Sequence, residues 1–529
     1  MHISWSPCIE ELVVQFYFQL VRSNNHFDIV DIENKLSYLL QHIGKNPVKN
    51  IKMFILLYKI IGQTRDIIKA KGEWQLSFVQ IYVWYQYYPN LAFFAFQQFV
   101  LSSKQNSHPY GSWKDIKTFC QYIKDKTRNE NHPLIIFAIN LLVMQISNDF
   151  ELANKGYKIS LAGKWVPREK SKYSWLFKLI AHHYNYYIQE NVRNEKKIFM
   201  NFRKKISFLN RYLKTPQIFM SSKKWRDIDF NKATSLTIYK YKKAFLNQTL
   251  NKDRDICSQK FKKFVQKSNN LYGKRCYLYQ LVKSVLFSMS DIENEIINKQ
   301  WIDNNNNKDM KNVIPLLDTS IYMLSDDNKP LYTAIGLGIR ISENSIGAFR
   351  NRLLIYSDFP TWIIFNDDET FVQKVWKVYR AISYSMSNLP KAVKLILDFI
   401  VKERLSIVEV KNLTFVVLTG NHSYQDNYNY EYIQKMFNIA GCCSIGIPYF
   451  TPHFIFWNLH RGQYFPSSAL QKNVTFLSGY NCNILNTMAD YNVKNKVFVE
   501  KTPIEILNDI LSIERYDILS QAVFSSLLK

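Results

Sequence analysis

Basic residues gather in short runs within one part of the chain, and most runs sit beside aromatic side chains: Phe202-Arg203-Lys204-Lys205, Arg211-Tyr212, Lys223-Lys224-Trp225-Arg226, Tyr239-Lys240-Tyr241-Lys242-Lys243, Phe261-Lys262-Lys263-Phe264 and Gly273-Lys274-Arg275. Cations neutralise phosphates and flat rings stack on bases, so this pattern suits a nucleic-acid contact surface. The expected phosphate ligands are Lys204, Lys205, Arg211, Lys223, Lys224, Arg226, Lys242, Lys243, Lys262, Lys263, Lys274 and Arg275, with Tyr212, Trp225 and Tyr241 as stacking candidates. Lysines on the outer face of an amphipathic helix are also ordinary solvation, and the neighbouring rings are then core. The imbalance of charge favours the binding reading. Residues 151–300 carry 32 basic and 11 acidic side chains, against 15 and 11 in residues 1–150 and 22 and 21 in residues 301–529. A merely soluble face would mix Glu with Lys and avoid such like-charge repulsion. The whole chain has 69 Lys and Arg, 43 Asp and Glu and a net charge of +26, which calls for a polyanionic partner.

Motifs of catalysis do not emerge. Gly163-Lys164 is followed by Trp165 and lacks the remaining residues of a phosphate-cradling Walker loop. Gly336-Leu337-Gly338 has no third glycine and falls inside an expected helix, which argues against a dinucleotide loop. Neither a His-Glu-x-x-His zinc motif nor a Gly-x-Ser-x-Gly elbow is present. Adjacent His182 and His183 point about 100° apart on a helix, which does not suit a shared metal. These readings predict a non-enzymatic protein without a cofactor. Seven scattered cysteines suggest neither a disulfide framework nor a thiolate zinc cage, and Cys442-Cys443 reads as a buried small-residue pair. A reducing, intracellular and cytoplasmic location is expected, without a secretion signal. Residues 74–103 carry no formal charge, but recurring Gln and the break at Pro89 predict two buried helices and no membrane span.

The elements that would position these residues fall into two textures. At 529 residues the chain exceeds the roughly 250–300 at which one core stops growing. From residue 9 to about 300, apolar residues recur at helical spacing, as in Ile9, Leu12, Val13, Phe16 and Leu20, which predicts an irregular α-helical solenoid or bundle. Residues 301–310, with four consecutive Asn, read as a linker. From 311 to 529, short apolar runs alternate with helical stretches: Val313–Leu317, Leu353–Tyr356, Trp362–Phe365, Leu413–Leu418, Phe454–Trp457 and Val474–Leu477. Such alternation predicts an α/β doubly wound, mostly parallel sheet with its ligand edge at Asp318, Ser357, Thr419, Asn458 and Ser478. The expected division is thus a helical domain of 1–300 with its basic part at 151–300, a linker at 301–310, and an α/β domain of 311–529.

Asp318-Thr319-Ser320 closing a first strand and Thr419-Gly420 closing a central one resemble the von Willebrand A-like fold. More closely, the chain resembles a family of unknown function, number 2828, found in plants, fungi and large DNA viruses. That resemblance rests on Lys71-Gly72-Glu73, Tyr110-Gly111-Ser112-Trp113-Lys114-Asp115, Leu161-Ala162-Gly163-Lys164-Trp165-Val166-Pro167-Arg168, Lys224-Trp225-Arg226-Asp227-Ile228, Phe456-Trp457-Asn458-Leu459 and Leu477-Ser478-Gly479. The plan of helical region plus A-like domain is similar to that of the Ro autoantigen proteins, which bind noncoding RNA. The A-like resemblance implies a divalent-metal site. Here Tyr322 stands at its second serine, Gly420 at its aspartate, and Ser387 near its threonine, so a degenerate site around Asp318, Ser320 and Ser387 is expected, with no metal. Asp326, Asp327, Asp367 and Asp368 are expected in solvated loops.

The expectation is therefore a polyanion-binding protein, with RNA ahead of DNA as partner, whose A-like domain docks other proteins. The second reading is a structural or assembly protein of a large DNA virus particle, located in the virion.

Overall fold

The computed structural model describes residues 8–102, 108–190, 192–248, 251–268, 276–288, 290–305, 310–420, 430–461, 465–485 and 501–527. The chain divides into two compact units, one of Met1–Val79 with Asn269–Ser520 and one of Gln80–Ser268 with Gln521–Lys529. They are called here the sheet unit and the helical unit.

The sheet unit is built on six strands: β1 Val313–Asp318, β2 Arg352–Tyr356, β3 Thr361–Ile364, β4 Thr414–Thr419, β5 His453–Asn458 and β6 Val474–Ser478. Their order is β3-β2-β1-β4-β5-β6, with every pair parallel except β2 with the edge strand β3. The expected α/β sheet is present, each strand within about two residues of its apolar run. All residues of β1 and β4 are buried, as central strands covered on both faces require, and those of the edge strand β6 are buried too, packed by the helices Ile9–Gln19 and Pro503–Leu511. One helix over the sheet, Ser325–Asn344, opens with three left-handed residues, Asp326, Asp327 and Asn328 (φ 48°, 63° and 61°), so its regular part starts near Pro330. Gly336-Leu337-Gly338 lies in that helix for packing reasons. A Cβ on Gly338 would stand 2.3 Å from Leu353 of β2, and one on Gly336 would stand 2.7 Å from Leu278. A further parallel pair, Met310–Lys311 with Ser345–Ile346, was not legible in the sequence.

The compact units divide the chain elsewhere than at the expected boundary near residue 300. The helices α1 Ile9–Gln19, α2 His26–Gly44 and α3 Ile51–Arg65 belong to the sheet unit. Their apolar faces fit the sheet and its last helices: Phe18 meets Phe476 of β6 with ring centroids 4.9 Å apart, and the buried Asp66 carboxylate accepts from Arg515 Nε at 2.6 Å and Tyr516 at 3.1 Å. The linker is corrected in part. Residues 301–304 end the helix Asp291–Asn304, where Trp301 stacks on Phe371 at 3.9 Å and donates to Glu343 at 3.0 Å. Residues 306–309 lie outside the described residues.

In the helical unit, Pro89–Val100, Lys114–Thr127, Ser174–Tyr187 and Glu195–Leu213 all pack on Pro133–Asn154. That central helix is long and apolar enough to cross a membrane, alone among the described residues, and it packs here against these four helices and the short helix Ala162–Trp165. Residues 74–103 break at Pro89, which takes the first position of its helix. A second cluster holds Ser235–Leu246 against Lys252–Lys267 around Phe230, Phe245, Phe261 and Phe264, with centroids 4.9 to 5.9 Å from Phe230.

Candidate functional site

At the sheet, strand pairing aligns Asp318 with Tyr356, Thr419 with Asn458 and Asn458 with Ser478, so the expected ligand edge forms. The chain order reverses between β1 and β4, which places the switch point at Asp318 and Thr419. The Asp318 carboxylate is buried. Its Oδ1 accepts from Ser320 N at 2.8 Å, and its Oδ2 from Thr419 Oγ1 at 2.9 Å and Gly420 N at 3.2 Å. Burial pushes its pKa up, against the lowering effect of those hydrogen bonds. Where the A-like resemblance implies a second carboxylate, a Cβ on Gly420 would lie 2.7 Å from Met323 Sδ and 3.3 Å from His460 Cβ. Ser387 lies between the helices Phe371–Arg380 and Leu389–Lys402 and makes no hydrogen bond to Asp318 among the described residues. One carboxylate already engaged by three donors, beside a thioether, does not fit the near-octahedral oxygen shell of Mg²⁺.

The neighbouring strand ends are occupied by the chain itself. Asn458 Nδ2 donates to Phe18 O at 3.1 Å and Ser478 Oγ to Tyr17 O at 3.0 Å, so the C-terminal end of α1 sits over β5 and β6. Fully buried Lys71 holds it there. Its Nζ donates to Tyr17 O at 2.8 Å, Leu20 O at 3.2 Å and Ser478 Oγ at 2.5 Å. Burial pulls the Lys71 pKa well below its ordinary value, and Glu73, itself paired with Arg22 at 2.7 Å, pulls the other way. Ser478 gives its own proton to Tyr17, so all three partners of Lys71 are acceptors, which matches the three donors of an ammonium. Lys71-Gly72-Glu73 and Ser478-Gly479 are thus two halves of one internal contact. The sequence signal was a charged triplet among apolar residues, without any indication of its partner.

The twelve expected phosphate ligands separate into groups. Lys204, Arg211, Lys223, Lys224, Lys243 and Lys263 are exposed and Lys262 is partly so, and none of the seven has a carboxylate partner among the described residues. Lys242 is corrected: only 7% is exposed, because it lies on the inner side of Ser235–Leu246. Lys205 pairs with Glu190 at 3.2 Å and Arg226 with Asp253 at 3.5 Å, so both are partly neutralised. Lys274 and Arg275 lie outside the described residues. The stacking candidates fare less well. Arg254 covers the Trp225 ring at 3.9 Å, the Tyr212 hydroxyl is bound to Tyr157 O at 2.9 Å, and Tyr241 is partly buried near Phe245. Phe202, Phe245 and Phe261 are core residues. Cys442 and Cys443, expected to be buried, are exposed on Tyr430–Ile445.

Sequence comparison adds two matched regions. Residues 134–302 match the family described as Domain of unknown function (DUF2828). Residues 312–510 match another, Domain of unknown function (DUF7788). The chain is also similar to the "Uncharacterized protein L728" of Acanthamoeba polyphaga mimivirus, 25% identical over 517 residues that cover 91% of this chain and 82% of the viral one. The first match agrees, over residues 134–302, with the family resemblance drawn from the sequence. The two matched regions meet at the asparagine run.

Proposed function

We propose that this chain is a non-enzymatic polyanion-binding protein, with RNA as its ligand, and that the helical unit supplies the contact surface. One observation carries the reading: charge segregates with the compact units. Residues 80–268 hold 34 Lys and Arg against 12 Asp and Glu, a surplus of 22 within a total of +26. The seven cations without a carboxylate partner among the described residues belong to this unit. Because most rings beside them are core or covered, the contact is to phosphates, and base stacking adds little. The doubly wound order with Asp318 at the switch point supports reading the sheet unit as von Willebrand A-like, with a closed metal site and a role in docking proteins. Purification without nuclease tests the ligand: the protein should carry an absorbance excess at 260 nm that ribonuclease removes and deoxyribonuclease does not. A preparation free of nucleic acid before any nuclease step would count against RNA.

The mimivirus relative favours a second reading, a structural protein of a virus particle. Copy number in purified particles separates the two.

A further inference from the structure

Two stretches that are remote in sequence, 110–115 and 161–168, meet in the helical unit. Lys114 and Lys117 lie one turn apart on the helix Lys114–Thr127, Lys164 and Trp165 end the short helix Ala162–Trp165, and Lys172 and Tyr173 precede the helix Ser174–Tyr187. Their ammonium groups surround two rings. Around Trp165 stand Lys117 at 5.5 Å, Lys164 at 5.6 Å and Lys114 at 5.8 Å, and around Tyr173 stand Lys172 at 5.1 Å and Lys117 at 5.2 Å.

This arrangement is held by its surroundings. Asp149 Oδ2 accepts from Ser160 Oγ at 2.5 Å and that oxygen accepts from Ala162 N at 3.1 Å, which fixes the start of the turn. Asn210 Nδ2 donates to Gly163 O at 3.2 Å, and a Cβ on Gly163 would lie 3.2 Å from Leu209, so the turn is pressed onto Glu195–Leu213. Asp115, the nearest acid in sequence, is buried and accepts from Ser112 N at 3.0 Å. No carboxylate pairs with any of the four lysines among the described residues. Burial lowers the pKa of Lys164 and, together with Lys114 and Lys172, that of Lys117. Ring faces offset only part of this repulsion. Lys114 and Lys172 are exposed and Lys117 and Lys164 partly so, which leaves the cluster open to a ligand.

We propose that Lys114, Lys117, Lys164 and Lys172, set around Trp165 and Tyr173, form a binding site for closely spaced phosphoryl groups. The chemistry is that of a polyphosphate, whether free or as consecutive phosphates of a nucleic-acid strand. None of the seven cations of the surface proposed above takes part in it.

Isothermal titration of the full chain with inorganic tripolyphosphate at low salt reads the site without RNA. Saturable binding is expected, weakened roughly tenfold by Lys117→Gln and again by Lys164→Gln, since a charge-assisted hydrogen bond is worth about 1.5 kcal/mol or more. Lys49→Gln, at an exposed lysine of the sheet unit, should leave it unchanged. Amine acylation followed by mass spectrometry gives an answer even if a variant misfolds: tripolyphosphate should protect Lys117 and Lys164 of the native chain and leave the exposed Lys49 of the sheet unit reactive. A short single-stranded RNA that displaces tripolyphosphate identifies the nucleic-acid source, and one that does not identifies a free polyphosphate. No saturable binding, equal binding by Lys117→Gln and Lys164→Gln, or uniform protection of all lysines overturns the site.

Discussion

Replacing Lys71 with Met keeps the buried stem and removes the ammonium that holds α1 over the strand ends. Tyr17 O keeps the proton from Ser478 and the amide of Leu20, so its loss is small. Leu20 O loses the Lys71 donor at 3.2 Å, Ser478 Oγ loses a donor at 2.5 Å, and Glu73 loses the attraction of the nearby ammonium. An acceptor left unsatisfied in the interior costs about 1–3 kcal/mol, and breaking a buried charged contact about 3–5, from which relief of the ammonium's own desolvation subtracts. The net expectation is about 3 kcal/mol, enough to raise local opening of α1 roughly 150-fold. Hydrogen exchange of the amides in the C-terminal half of α1 measures this directly. Ser478→Ala should lose less, and the double variant should fall short of the sum by about 1 kcal/mol or more, since the two side chains share one contact. A folded Lys71→Met variant with unchanged exchange in α1 would show that α1 is held by apolar packing alone.

Two further outcomes follow from the sheet unit. His453 Nε2 lies 2.8 Å from Thr475 Oγ1, and burial lowers its pKa from 6.5 to about 4. The unfolded chain therefore binds the extra proton between those values. Stability is fully present above pH 6.5 and falls on acidification towards pH 4, by about 2 kcal/mol once the ring's partial exposure is allowed for. His453→Gln should flatten that part of the denaturant-midpoint profile, and an unaltered slope would remove His453 as its source. Gly420→Asp restores the carboxylate that the A-like resemblance implies, yet its Cβ meets Met323 Sδ at 2.7 Å. It should lower stability by about 1–3 kcal/mol without any rise of Tm in Mg²⁺. A Mg²⁺-dependent rise would show that the donor set suffices after all.

The sheet was legible because buried parallel strands read as uninterrupted apolar runs, and the end of each run marks the ligand edge. Asp318, Thr419, Asn458 and Ser478 were placed on this basis alone. The partners of those ends were not legible. Residues 9–65 show helical periodicity, but nothing in a helical stripe says whether it faces another helix or a sheet more than 400 residues later in the chain, as Phe18 faces Phe476. In the basic segment, residue type showed the charge and concealed its burial: Lys242 and Lys243 are neighbours, and only Lys243 reaches solvent. Trp225 had the composition of a stacking platform, and Arg254 covers it from 29 positions away. The lysines around Trp165 escaped notice because Lys117 and Lys164 lie 47 positions apart in two stretches of modest local charge.

The polyanion reading is tested most directly by the salt dependence of RNA binding. If Lys204, Arg211, Lys223, Lys224, Lys243, Lys262 and Lys263 each meet a phosphate, the slope of log affinity against log salt is about −5 for a single strand, a loss of roughly 10³ between 50 and 200 mM. Replacing all seven with Gln should remove most of that slope and sharply weaken binding at the higher salt. A flat salt response in the native chain, or an unchanged slope in the seven-residue variant, would contradict the account.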